Sequence, residues 1–129
     1  MLTGGCLCGE IRYEAGGAPF SRGFCHCVTC RRAAGAPVVA WFSVRPAELR
    51  VIKGEPKSFR SSEVGVRQFC GGCGSQLFMD DARYPDEIDI AIASLDEPEA
   101  VAPEFHIFNR SRLPWLKIED GLPTYDTGR

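Results

Sequence analysis

A chain of 129 residues, 44% hydrophobic and 25% charged, lies within ordinary globular composition and is long enough to bury one core, so a single domain over 1–129 is expected. A formal net charge of -2, with arginines scattered among acids, speaks against nucleic-acid binding. No run of about eighteen apolar residues offers a membrane span. Seven cysteines behind an N-terminus without an export signal point to metal ligation or thiol chemistry in a reducing, cytoplasmic setting, not to a disulfide framework.

Every-other-residue alternation marks the first strand at 11–15, where Ile11, Tyr13 and Ala15 share one face. The best helix candidate follows at 29–35, with Thr29 as its cap and Gly35 as its left-handed C-terminal residue. Further β-type runs occupy 37–44, 49–53, 57–61, 66–70 and 76–79. In 87–93 the residues Ile88, Ile90 and Ile92 share a face; 96–103 reads as a loop, and 105–108 as a last strand. Many short strands between Gly, Pro, Ser and Asp clusters predict an all-β sandwich or open barrel with one short helix.

The cysteines fall into three groups: Cys6 and Cys8; Cys25, Cys27 and Cys30; Cys70 and Cys73. In extended backbone, residues i and i+2 face the same way, so each C-x-C presents two sulfurs to one metal while Leu7 or His26 points away. The sequence from Cys70 to Cys73, with Gly74 behind it, has the form of a zinc knuckle, and Cys6 with Cys8 completes a closed four-thiolate set. Disulfides or coincidental buried cysteines are the alternatives.

Three ligands then remain in Cys25, Cys27 and Cys30. Three protein ligands with one open position is the pattern of catalytic zinc, since structural sites are filled. The alternatives are a second structural site closed by a histidine, and a redox dithiol built on Cys27 and Cys30. His106 is a candidate fourth ligand or acid/base, although a lone histidine on a strand is more often structural. Arg31 and Arg32 are either solvated helix charges or cations that help an anionic ligand approach, and Arg110 and Arg112 are weaker candidates for that role. Trp41 and Trp115 read most simply as core or rim aromatics. A trithiolate zinc is a weak Lewis acid for hydrolysis, and its natural fourth ligand is soft sulfur, so a substrate thiol would be held there as thiolate.

GGCLCGEIRYE, CHCVTCRRAAGAP, FCGGCGSQLF, SLDEPE and HIFNRSRLPWLKIEDGLPTYD together resemble the glutathione-dependent formaldehyde-activating family, also known from centromere protein V. The resemblance spans nearly the whole chain. It implies an Mss4-like all-β fold with two Zn2+ per chain. The structural zinc would fall on Cys6, Cys8, Cys70 and Cys73, and the catalytic zinc on Cys25, Cys27 and Cys30. The implied reaction joins glutathione to formaldehyde, giving S-hydroxymethylglutathione, and classes the enzyme as a carbon-sulfur lyase. A non-catalytic zinc β-module that binds glutathione or a protein partner is the competing reading, and a thiol redox enzyme is a third.

Overall fold

Alternating apolar side chains between turn-forming residues make strands, and ten form in the computed structural model, which describes residues 1–128. They are β1 (Leu2–Gly5), β2 (Arg12–Ala15), β3 (Phe20–Cys25), β4 (Val39–Val44), β5 (Leu49–Lys53), β6 (Lys57–Arg60), β7 (Gly65–Phe69), β8 (Gln76–Asp81), β9 (Ile88–Ala91) and β10 (Phe105–Ile107). One α-helix, α1 (Val28–Ala34), interrupts them between β3 and β4. The expected all-β architecture with one short helix is therefore present. None of the described helices is long and apolar enough to cross a membrane.

The strands form a three-stranded sheet, in the order β1-β2-β5, and a seven-stranded sheet, in the order β10-β3-β4-β9-β8-β7-β6. The core lies between them. Ile11, just ahead of β2, and Tyr13 and Ala15 of the small sheet meet Phe42, Val44, Leu77, Phe78, Ile88 and Ile90 of the large one. The Tyr13 ring meets Phe78 edge-on at 5.1 Å, and its hydroxyl is bonded to Ser94 Oγ at 2.6 Å, so this buried phenol keeps its polar tip satisfied.

Where the expected elements differ, local geometry explains it. The run at 87–93 leaves the sheet after Ala91 and becomes a 3-10 turn over Ile92–Ser94, in which Ser94 Oγ donates to the Ala91 carbonyl at 2.7 Å. β1 and β3 carry no apolar alternation; pairing with β2 and β4 holds them extended. Helix α1 is capped by Cys27, not Thr29: Cys27 is extended at φ -65° and ψ 153°, and its sulfur accepts from the Cys30 amide at 3.3 Å. Gly35 takes the left-handed conformation, at φ 61°, that ends the helix.

Among the ten described strands, one pairing is parallel. β10 lies beside β3 with Phe105 opposite Gly23, His106 opposite Phe24 and Ile107 opposite Cys25. A side chain at Gly23 would place its Cβ 2.3 Å from the Phe105 ring, so glycine is what lets these strands approach. The outer edge of β10 is closed by the C-terminal tail. His106 donates its amide to the Pro123 carbonyl at 2.9 Å, and Tyr125 donates to the His106 carbonyl at 2.8 Å.

Candidate metal centres and the adjoining groove

Two short turns bring four of the sulfurs together. The segment Cys6–Gly9 folds into a turn between β1 and β2, with the Gly9 amide on the Cys6 carbonyl at 3.2 Å. The two sulfurs therefore converge through a turn, and the expectation of extended i, i+2 geometry is corrected at this pair. Cys70 and Cys73 flank the turn between β7 and β8, closed by the Gly74 amide on the Cys70 carbonyl at 2.8 Å. Backbone amides of Ile11 and Gly72 donate to Cys6 Sγ and Cys70 Sγ at 3.2 and 3.3 Å. Contacts with Ser75 hold the Cys73 thiol down at about 5.

All four sulfurs lie within 4.8 Å of one another, with Cys6 to Cys8 at 3.6 Å and Cys8 to Cys70 at 3.7 Å. A tetrahedron with metal–sulfur bonds of about 2.3 Å has sulfur–sulfur edges of about 3.8 Å. The donor set therefore fits zinc. A metal here would staple the small sheet, through the β1–β2 turn, to the large sheet at the β7–β8 turn.

The second cluster is built where β3 runs into α1. Cys25 ends the strand, Cys27 caps the helix and Cys30 lies in its first turn, and the three sulfurs lie within 4.8 Å of one another. No fourth metal-ligating side chain joins this group among the described residues. Hydrogen bonds from Cys25 and Cys30 hold the Cys27 thiol down to about 2, while the same crowding, together with burial, pushes Cys25 up. Close thiols cannot all ionise in the absence of a cation, and a divalent ion would remove that obstacle. All seven cysteines are free thiols.

The positions of the expected cations divide. Arg32 is exposed on the helix, and Arg31 is half-buried with Nε enclosed and unpartnered. Neither guanidinium hydrogen-bonds to a sulfur of the cluster. The guanidinium that does belongs to Arg67 of β7, whose Nη2 donates to Cys30 Sγ at 3.5 Å. Sequence reasoning passed over Arg67 because VRQFC reads simply as a strand, and nothing local marks its second residue as facing a cysteine cluster 37 positions away.

His26 turns away from its cysteine neighbours, as expected of a packed residue, and is 2% exposed. Its Nε2 lies 2.8 Å from His106 Nδ1, and His106 Nε2 lies 2.8 Å from Asp120 Oδ2. Both nitrogens of His106 are thus occupied outside the cluster, and the expectation of His106 as fourth ligand does not match this arrangement. His106 stacks on Phe24 at 4.8 Å, which fixes its ring plane.

The Leu122 amide, followed by His106, holds the Asp120 carboxyl below its ordinary value, so Asp120 is an acceptor. With a neutral His106, donation from its Nε2 to Asp120 leaves Nδ1 to accept, and His26 then donates from Nε2. This leaves a lone pair on His26 Nδ1, which is buried and has no partner. Burial, with His106 next in effect, lowers the His26 pKa and keeps that ring neutral. His26 and His106 line a groove of about 410 Å³ with Asn109, Arg112, Lys117 and Asp120. The tail supplies most of this wall; Asp120 has no sequence signature that links it to His106.

Fold and sites together define a cysteine-rich all-β protein with one closed and one three-sulfur candidate metal centre. The family model for the glutathione-dependent formaldehyde-activating enzyme matches residues 1–111, and the chain belongs to that family. A relative from Halomonas elongata, provisionally named as a glutathione-dependent formaldehyde-activating enzyme, is 30% identical over 130 residues, covering 92% of this chain and 82% of its own. The crystal structure of a Rhodobacter sphaeroides protein is similar in fold, with a TM-score of 0.61 at 22% identity, over 95% of this chain and 98% of that one.

Proposed function

We propose that this protein catalyses carbon–sulfur bond formation and cleavage between a small thiol and a small aldehyde, with glutathione and formaldehyde as the pair. The observation that carries this reading is the three-sulfur group of Cys25, Cys27 and Cys30, which has no fourth protein ligand among the described residues. Zinc held by those three sulfurs would supply a position where a substrate thiol binds as thiolate at neutral pH. A second zinc on Cys6, Cys8, Cys70 and Cys73 would be structural.

In the synthetic direction the thiol sulfur forms a bond to the carbonyl carbon, the carbon–oxygen π bond breaks, and the proton given up by the thiol ends on the oxygen. The chain's own residues supply the rest. Asp120 and His106 orient His26 so that its Nδ1 can accept a hydrogen bond from a bound N–H or O–H group. Arg112 and Lys117 on the groove wall match the carboxylates of glutathione, and Arg31 and Arg32 add positive potential beside the trithiolate centre. Free thiols throughout suit a reducing compartment such as the cytoplasm, and we assign the chain to one domain over 1–129.

The test combines metal analysis with exchange spectroscopy. Reduced, metal-replete protein should carry two zinc ions per chain, and added protein should accelerate adduct formation from glutathione and labelled formaldehyde above the spontaneous rate. A Cys30→Ser variant should lose that acceleration. Glutathione binding without any acceleration would instead make the protein a binding module.

A further inference from the structure

Arg67 is a buried cation in search of an anion. It is 7% exposed on β7, where its strand position turns it inward. Nε donates to Ser61 Oγ at 3.3 Å, Nη1 to Gln76 Oε1 at 3.2 Å, and Nη2 to Cys30 Sγ at 3.5 Å. The first two partners are neutral, and no carboxylate pairs with Arg67 among the described residues. A buried guanidinium without a counter-charge is strongly disfavoured, so its compensation must come from the sulfur side.

The two cysteine centres differ in this respect. At the four-cysteine centre, the donors to sulfur include backbone amides of Ile11 and Gly72, and the Glu10 carboxylate lies 3.9 Å from Cys70 Sγ. At the three-cysteine centre, a full positive charge is fixed against one sulfur. A divalent ion with three thiolates leaves one negative charge, which Arg67 cancels; a thiolate arriving as fourth ligand then meets a neutral assembly. Without Arg67 it would meet an anion in a partly buried site, where like charges repel strongly.

We infer that Arg67 is the positioning residue that makes the Cys25, Cys27 and Cys30 centre accept an anionic fourth ligand, acting through Cys30 by charge compensation. The inference rests on the proposed open metal centre. It assigns Arg67 a role in ligand class, distinct from the shape of the groove that holds the rest of the substrate. Gln76 is the second part of the device, because it holds Nη1 without contributing charge.

The test uses the full chain loaded with Co(II), whose sulfur-to-metal charge-transfer bands report each centre, titrated separately with 2-mercaptoethanol and with neutral imidazole. Arg67→Met should weaken thiol binding by about tenfold to a hundredfold, leave imidazole binding within about threefold, and retain two metals per chain. Arg67→Lys, which keeps the charge, should recover most of the thiol affinity.

Gln76→Glu gives an independent arm if Arg67→Met does not fold. Gln76 Nε2 is buried and has no partner, so exchanging it for oxygen removes no hydrogen bond and places a competing anion on Arg67. Thiol affinity should fall while imidazole affinity holds. Wild-type thiol affinity in folded Arg67→Met or in Gln76→Glu overturns the inference, as does an equal loss for thiol and imidazole. If the wild-type protein itself binds one metal, or binds no thiol at the second, the open-centre reading fails first, and the two failures are distinguished.

Discussion

His26 Nε2 and His106 Nδ1 lie 2.8 Å apart although 80 residues separate them in sequence. Parallel pairing of β10 with β3 sets this distance, since it places His106 beside Phe24, two residues before His26. With a neutral His106, Asp120 on its far side sets which nitrogen of each ring carries a proton. Asp120→Asn should allow the amide to donate to His106 Nε2 and reverse both tautomers, turning His26 Nδ1 from acceptor into donor. The expected outcome is a fall in kcat/KM of about tenfold to a hundredfold with metal content unchanged. Imidazole 15N shifts would read the tautomers directly; unaltered shifts and an unaltered rate would remove the proposed role of this chain of bonds.

The close approach of β3 and β10 depends on Gly23. Gly23→Ala drives a methyl to within 2.3 Å of the Phe105 ring, and the strands must separate or the ring must move. A loss of about 1–3 kcal/mol in urea-denaturation stability is expected, accompanied by lower activity through the displaced His106. Combining it with Phe105→Leu should restore part of both.

Loss of the two centres should have different consequences. Cys73→Ser breaks the junction between the β1–β2 and β7–β8 turns, and stability should fall by at least about 3 kcal/mol, because metal binding at such sites is coupled to folding. Cys30→Ser should lose one metal and all activity while unfolding closer to wild type. Metal analysis beside thermal unfolding separates the two.

Asp89 supplies a pH dependence away from either centre. Its side chain is half-buried on β9 and accepts from Ser43 Oγ at 2.6 Å. Burial, only partly offset by that hydrogen bond, pushes its carboxyl up to about 6. The folded state therefore prefers the protonated form, so this contribution to stability is complete below about pH 4 and is lost as pH rises through about 6. Asp89→Asn keeps an acceptor for Ser43 and should stabilise the protein by about 1–2 kcal/mol at pH 7.5, less than the full shift represents because the side chain retains partial access to water. Urea titrations across pH 4–8 should show a flatter profile for the variant.

Much of the fold was legible where one face of a strand is buried. Ile88 and Ile90 alternate with polar Asp89 because their side of β9 meets the core, and the same holds for Tyr13 and Ala15 on β2. β1 and β3 were not legible: LTGG has too few apolar side chains, and β3 contains Gly23 and the left-handed Ser21, with a register shift beside them. The cap of α1 was misplaced at Thr29 because a cysteine sulfur is not an ordinary cap acceptor, yet Cys27 takes that role.

The sequence by itself determined the grouping of the seven cysteines, because ligands that share a turn or a helix start must be close in the chain. It also determined the strand pattern that buries one core, since period-two alternation is a local property. Tertiary structure alone decided the surroundings of the sulfurs. Arg67 reaches Cys30 across 37 residues, and Asp120 reaches His26 through His106 on a neighbouring strand. A charge or a hydrogen bond acts through space at a few ångströms, and no spacing along the chain announces which distant side chain the packing of two sheets will bring to that distance.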